Sequence, residues 1–304
     1  MKKSSTAFDY FLSVDWSSRA KPSPAKPTKD AIWVGEAKAG GRVTAKYFRT
    51  RHDCFIYLEK RLTRLLKQDR RVLVGWDFVF GYPAGLGDAL KIKKKRPWKH
   101  VWKLLDRLVL DHKDNRNNRF TVGAELNRRI SVGSGPFWGV PAGQSGIFLG
   151  SKKDFSYPVV NKRAVLAERR LVEHRVKKMQ PGWKLAYAGS VGSQALLGIP
   201  KVYDLRFNND KLKDRSYVWP FETKFADKLP KGGCIVHAEI YPSMVPLSGK
   251  DKITDRAQVR AYTKWLQMEQ IAGRLAGWLA GPKGLSKKER KRVLREEGWV
   301  LGVR

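Results

Sequence analysis

Two cysteines in 304 residues, Cys54 and Cys234, are too few for a disulfide framework, and no Cys-x-x-Cys spacing is present to build a zinc site. Both read as small buried hydrophobes of a reducing compartment. Acidic side chains are also scarce, with 28 Asp and Glu against 62 Lys and Arg. No run of roughly 18 uninterrupted apolar residues occurs, which removes a membrane-spanning helix. The start, MKKSSTAFDY, is basic but reaches Asp9 before any long apolar segment, so it does not read as a leader. A cytoplasmic protein is expected. There is no repeat of fixed period and no low-complexity tract. The Gly-x-Ser-x-Gly elbow of serine hydrolases is missing, as are the Walker A loop and the dinucleotide fingerprint.

What is present is positive charge on a globular background. The formal net charge is +34, yet 42% of residues are hydrophobic and 11 are Trp, so disorder does not explain the charge. A folded chain this basic repels itself until it meets a polyanion, and nucleic acid, DNA or RNA, is the expected partner. The competing reading is a general bias toward lysine with no partner behind it.

The chain opens on Phe8 to Trp16, FDYFLSVDW, a short run of aromatic and branched residues that reads as a buried strand ending in Asp15. Ser17 to Asp30, with its prolines, is a surface loop. Ala31 to Ala37 and Arg42 to Arg49 are two further strands joined by a turn at Gly40-Gly41. From Asp53 to Gln68, apolar residues fall on one helical face, predicting an amphipathic helix over a sheet. Arg71 to Phe80, RVLVGWDFVF, repeats the opening logic with Asp77, and a Gly81 to Gly85 turn follows. Residues 87–230 are the least regular part and read as an inserted basic and aromatic elaboration of one domain, whose core is 1–86 and 231–304. Within it, Trp98 to Val109 has helical spacing, Lys162 to Lys178 reads as a very basic helix, and Gly189 to Gly198 is a Gly/Ser turn entering a short helix. Val218 to Glu222 reads as an aromatic turn. Cys234 to Tyr241, CIVHAEIY, is a third apolar run, carrying Glu239. Thr254 and Asp255 sit at an N-cap position before a long helix over Ala257 to Ala280, bent near Gly273. Ser286 and Glu289 have capping-box spacing for a last basic helix.

Acids at the ends of buried strands are costly unless something binds them. Asp15, Asp77 and Glu239, with Asp255 on the C-terminal helix, form the oxygen-only set that suits Mg²⁺ or Mn²⁺. Two such ions can activate water and stabilise the leaving oxygen of a phosphodiester. His237, two residues before Glu239, shares its sheet face, as a metal-site neighbour or as a core histidine.

The segments FLSVDW, VGWDFVFGYPAG, GSVGSQALLGIP, VWPFE, AEIYPSMV and DRAQVRA together resemble the predicted RNase H-fold nucleases known as domain of unknown function 429, over about Phe11 to Gly302. The resemblance implies an α/β fold, RNase H-like, with a mixed five-stranded sheet of order 3-2-1-4-5 flanked by helices and a large inserted region. It places Asp15, Asp77, Glu239 and Asp255 in the acidic, catalytic and metal-binding positions. RNase H-like resolvases often carry a second acid one turn further along the last motif; here that place is Gln258.

The expected activity is therefore a metal-dependent nuclease. Candidate phosphate contacts are Lys93, Lys94, Lys95, Arg96, Arg119, Lys177, Lys178, Lys287, Lys288 and Arg290, with Trp98, Trp102 and Trp138 as stacking candidates. Gly189, Ser190, Gly192 and Ser193 form a possible phosphate loop. Two other classes compete: a non-catalytic nucleic-acid-binding protein on the same fold, and a nucleotide-binding phosphotransferase of the actin and sugar-kinase type that uses the Gly189 turn.

Overall fold

In the computed structural model, described for residues 7–131, 133–226, 229–247, 249 and 251–304, the opening run is a central strand of the sheet. The basic start, residues 1–6, lies outside this description. Tyr10–Asp15 (β1) pairs antiparallel with Ile32–Lys38 (β2), which pairs antiparallel with Thr44–Phe48 (β3). Helix α1 (Arg51–Lys67) then crosses one face and returns the chain to Val72–Trp76 (β4), parallel to β1. Thr50 caps α1, its hydroxyl accepting from the Asp53 N–H at 3.1 Å.

The chain continues through α2 (Leu86–Ala89), α3 (Pro97–Leu108) and α4 (Arg119–Ile130). A small antiparallel pair follows, β5 (Val159–Val160) and β6 (Val165–Leu166), then α5 (Leu171–Arg175) and α6 (Gly192–Tyr203). Ser216–Val218 (β7) and Ile235–Glu239 (β8) rejoin the main sheet, and α7 (Thr254–Ile271), α8 (Leu275–Leu279) and α9 (Lys287–Arg292) close the chain.

The result is a six-stranded mixed sheet of order β3-β2-β1-β4-β8-β7 between two helical layers, one strand more than the five expected because Ser216–Val218 adds β7 outside β8. One face is covered by α1, α3, α4 and α6, whose Leu58, Trp102, Leu126 and Ile199 pack with Leu12, Val14, Val74 and Trp76. The other face is covered by α7 and α8, where Tyr262, Leu266 and Leu275 meet Phe11, Leu73, Val236 and Ile240. Helix α7 lies close to the sheet: a Cβ at Gly35 would stand 2.5 Å from the Val259 carbonyl oxygen.

Two local expectations change. Lys162 to Lys178 is not a basic helix: Asn161 Oδ1 accepts from the Arg163 and Ala164 N–H groups, each at 2.8 Å, turning the chain into the β5–β6 pair before the short α5. The long C-terminal helix is two helices, because the chain breaks after Ile271 where Gly273 takes φ +70°. The capping box of Ser286 and Glu289 forms as the spacing predicts. Residues Ser216–Val218, just before the aromatic turn, contribute a strand at the sheet edge, parallel to β8.

Candidate active site

Strand pairing sets the site. Val14 on β1 is in register with Trp76 on β4, and Trp76 with Glu239 on β8. Asp15 and Asp77 each follow one residue later, and the Asp77 N–H extends the ladder by donating to the Val14 carbonyl at 2.9 Å. Side chains alternate along a strand, so Asp15 and Asp77 face the α7 layer, whereas Glu239 faces the opposite layer with Trp76 and His237. The residue that follows Glu239, just past β8, is Ile240, buried, whose Cγ2 fills the space above Gly75. The third acid on the α7 side is supplied by the helix itself: Asp255, in its first turn, accepts from the Ala31 N–H at 3.4 Å.

Asp15, Asp77 and Asp255 push on one another. Burial, then the charges of Asp77, Asp255 and Asp30, hold the Asp15 carboxyl well above the usual carboxylate range. Asp77 is pushed up to about 7, by burial first and then by Glu239 and Asp255. Asp255 is raised by burial, partly offset by backbone N–H groups. In a chain with 62 Lys and Arg, none of the three has an ion-pair partner among the described residues. Asp30, on the proline-bearing loop and at φ 55°, adds a fourth charge that the sequence did not flag.

Glu239 is engaged differently. Arg170 Nη1 and Nη2 donate to its two oxygens at 2.8 and 2.6 Å, and the Phe80 N–H adds a third bond at 2.8 Å. The same guanidinium binds Glu173 through Nε at 2.7 Å and the Glu297 carbonyl at 2.9 Å. All three side chains of this cluster are buried. Glu239 thus lies near enough to raise the Asp77 pKa, but its own oxygens are occupied. His237 is a core histidine: fully buried, its Nδ1 accepts from Trp76 Nε1 at 3.2 Å, and burial lowers its pKa to about 3.

An open cleft of about 370 Å³ is lined by Asp15, Asp30 and Asp255 together with Arg19, Arg119, Ser190 and Gln194. Arg119 donates to Ser193 Oγ at 2.9 Å and to Asn117 Oδ1 at 2.8 Å, and it has no carboxylate partner among the described residues. Burial and the nearby Arg51 charge lower its pKa to about 10. Ser193 also donates to the Leu185 carbonyl at 2.5 Å, so its hydroxyl holds Arg119 and the turn rather than standing free. Gly192 is required by packing, since a Cβ there would meet the Gly182 carbonyl oxygen at 2.5 Å. Its N–H donates to the Lys184 carbonyl, while Gly189 turns the chain at φ +74°. Gln194 Nε2 donates to the Trp16 carbonyl at 2.8 Å and so ties the start of α6 to the end of β1, beside Asp15. Gln194 also lines an adjoining cavity of about 190 Å³ with Asp77, Arg170, Gln180 and Glu239.

Of the other basic candidates, Lys177 and Lys178 are exposed and directly precede Met179 and Gln180, which line that second cavity. Lys93, Lys94, Lys95 and Arg96 lie in the loop before α3, and Lys287, Lys288 and Arg290 on α9; none of these lines either cavity. Arg290 donates to the Lys224 carbonyl at 3.0 Å. Trp98 and Trp102 are core residues, Trp98 stacked on Phe221 at 4.6 Å and Trp102 donating to the Phe80 carbonyl. Trp138 is half-buried under Lys184.

Among the described residues, no three His, Cys, Asp or Glu side chains already stand at metal-holding distance. The donor chemistry nevertheless fits a hard divalent cation: three oxygen-only, mutually repelling, desolvated carboxylates without an ion-pair partner among the described residues. No family model, no curated protein and no solved structure matches the chain.

Proposed function

We propose that this α/β protein is a divalent-metal-dependent phosphodiesterase of RNase H-like type, acting on DNA or RNA. The observation that carries the reading is the set of three carboxylates, Asp15, Asp77 and Asp255, that have no ion-pair partner among the described residues in a chain of net charge +34. Mg²⁺ or Mn²⁺ held by these residues would polarise a phosphate and make water a stronger nucleophile, as in two-metal hydrolysis. The protein's own groups do the rest. Arg119, which has no carboxylate partner among the described residues, receives the phosphate oxygens in the same cleft, with Ser190 and the first turn of α6 beside it. Gln194 holds the start of α6 against the end of β1 through the Trp16 carbonyl. In the reaction the water oxygen bonds to phosphorus, one ester P–O bond breaks, and the leaving oxygen takes up a proton. Lys177 and Lys178, by the mouth of the second cavity, extend the positive surface along which a backbone lies.

The test is cleavage of labelled single strands, duplexes, hybrids and branched junctions with Mn²⁺. Activity on at least one that disappears in Asp15→Asn and with chelator is the expected result. Intact substrates throughout the panel sink the reading.

The placement of Ser190 and the start of α6 in the acid-lined cleft favours one alternative, a nucleotide-binding phosphotransferase. Thermal stabilisation by ATP with Mg²⁺, together with none by oligonucleotides, selects it. Salt-sensitive nucleic-acid binding that is unchanged in Asp15→Ala and Asp77→Ala, without cleavage, selects a non-catalytic binding protein.

A further inference from the structure

A groove of about 810 Å³ runs along the exposed side of α7, away from the Asp15 cleft, and is lined by Arg42, Val245, Pro246, Arg260, Lys264 and Trp265 among others. Helix α7 links it to the candidate site, since residues of the same helix line both. The first turn of α7 bears Asp255, and Gln258, which lines the Asp15 cleft, donates to Ser243 Oγ at 3.1 Å, anchoring the segment that runs on to Val245 and Pro246. Arg260 and Lys264 stand one helical turn apart, and both are exposed, as is Arg42 on the turn between β2 and β3. None of the three has an ion-pair partner within 4.0 Å among the described residues. The groove's acid, Asp251, is bound by Arg256, with Nη2 to Oδ1 at 2.7 Å, so it offers little repulsion to an anion. Trp265 is half-buried and braced by Tyr262 and Trp278, at ring-centroid distances of 5.1 and 5.7 Å. A braced indole in the wall of a basic groove is the arrangement that stacks an unpaired base whatever its identity.

We propose that this groove is the track of a single nucleic-acid strand, its backbone on Arg42, Arg260 and Lys264 and one base on Trp265, leading toward Asp255. The α7 segment from Asp255 to Met268 is roughly 20 Å long, enough for several nucleotides. A duplex cannot stack an internal base on Trp265 without unpairing it, which makes an unpaired strand the better ligand. The direction of the track, though not its capacity to bind, rests on the phosphodiesterase reading of the Asp15 cleft.

The experiment is fluorescence anisotropy with a labelled single-stranded oligonucleotide and its duplex, over a salt series. Arg260→Ala/Lys264→Ala should weaken single-strand binding about tenfold and lower the log–log salt slope by about 1.4, at ~0.7 per phosphate contact. Trp265→Ala should weaken it several-fold with the slope unchanged. A charge-matched control, Lys60→Ala/Lys67→Ala on α1 across the sheet, should leave binding at the wild-type level. Equal losses in the control and the groove variant, unchanged binding in the groove variants, or tighter binding of the duplex each overturn the track. Cleavage with Mn²⁺ is read in the same samples. Wild-type cleavage with intact groove-variant binding overturns the track and leaves the cleft reading standing. Loss of binding in the groove variants without any wild-type cleavage does the reverse.

Discussion

Arg170 and Glu239 are joined by two hydrogen bonds, of 2.8 and 2.6 Å, and both side chains are buried. Glu173 completes the ion cluster, and Phe80 and Glu297 add backbone contacts. A charge group of this kind holds the end of β8, the 170s segment and the C-terminal turn in one register. Arg170→Ala strands two buried carboxylates and should cost about 3–5 kcal/mol in urea unfolding. Arg170→Lys, which lacks the planar fork, should recover only part of that.

Asp15 illustrates the opposite economy. It sits among like charges with no ion-pair partner among the described residues, so its ionised form destabilises the fold at neutral pH. Asp15→Asn should raise the thermal midpoint at pH 7.5 by a few degrees, since ~1 kcal/mol corresponds to roughly 2–4 °C in a chain of this size. The same substitution should abolish any stabilisation of the protein by Mn²⁺. A variant that melts below the wild type would contradict the charge-crowding account.

His237 gives the stability curve an acid limb. Its folded pKa, about 3, lies below the unfolded value near 6.5. Between these values the unfolded chain binds the extra proton, so stability falls as pH drops, by up to about 1.4 kcal/mol per pH unit. Above pH 6.5 this contribution is flat. His237→Asn keeps an acceptor for Trp76 Nε1 without a titrating ring, and its urea midpoint should change less than that of the wild type between pH 6.5 and 4.

Gly35 sets how closely α7 approaches β2. An added Cβ would stand 2.5 Å from the Val259 carbonyl oxygen and 2.7 Å from Thr263 Oγ1. Gly35→Ala should lower stability by about 1–3 kcal/mol as the helix is pushed off. Because Asp255 rides on that helix, Mn²⁺ binding measured by calorimetry should weaken as well.

Much of this layout can be read along the chain. The buried strands announce themselves as apolar runs, and Asp15 and Asp77 follow from their ends. Asp255 follows from a helix start. Glu239 shows where such reading stops. Whether an acid in a strand points toward its neighbours depends on pairing register, and register is a long-range property: one residue of phase puts Glu239 in the opposite layer and Ile240 in line with the aspartates. Arg170 was equally invisible, one arginine in a basic stretch, because its partners lie at sequence distances of 69 and 127 residues as well as nearby. Gln194 and Asp30 have no local pattern at all. Strand β7 is only three residues long and merges into the aromatic turn, too short for a periodicity to register.

The shape of the sheet margins bears on how such a charged protein behaves in solution. One margin, β3, is five residues long, with Thr44 exposed and Lys46 on the same face; the other, β7, has three residues. Neither offers a long flat template for strand addition by a second copy. With a net charge of +34 added, self-association meets both a geometric and an electrostatic barrier. Only the second of these vanishes when a polyanion is present, so any complex with a polyanion should grow by sharing that polyanion rather than by joining sheets.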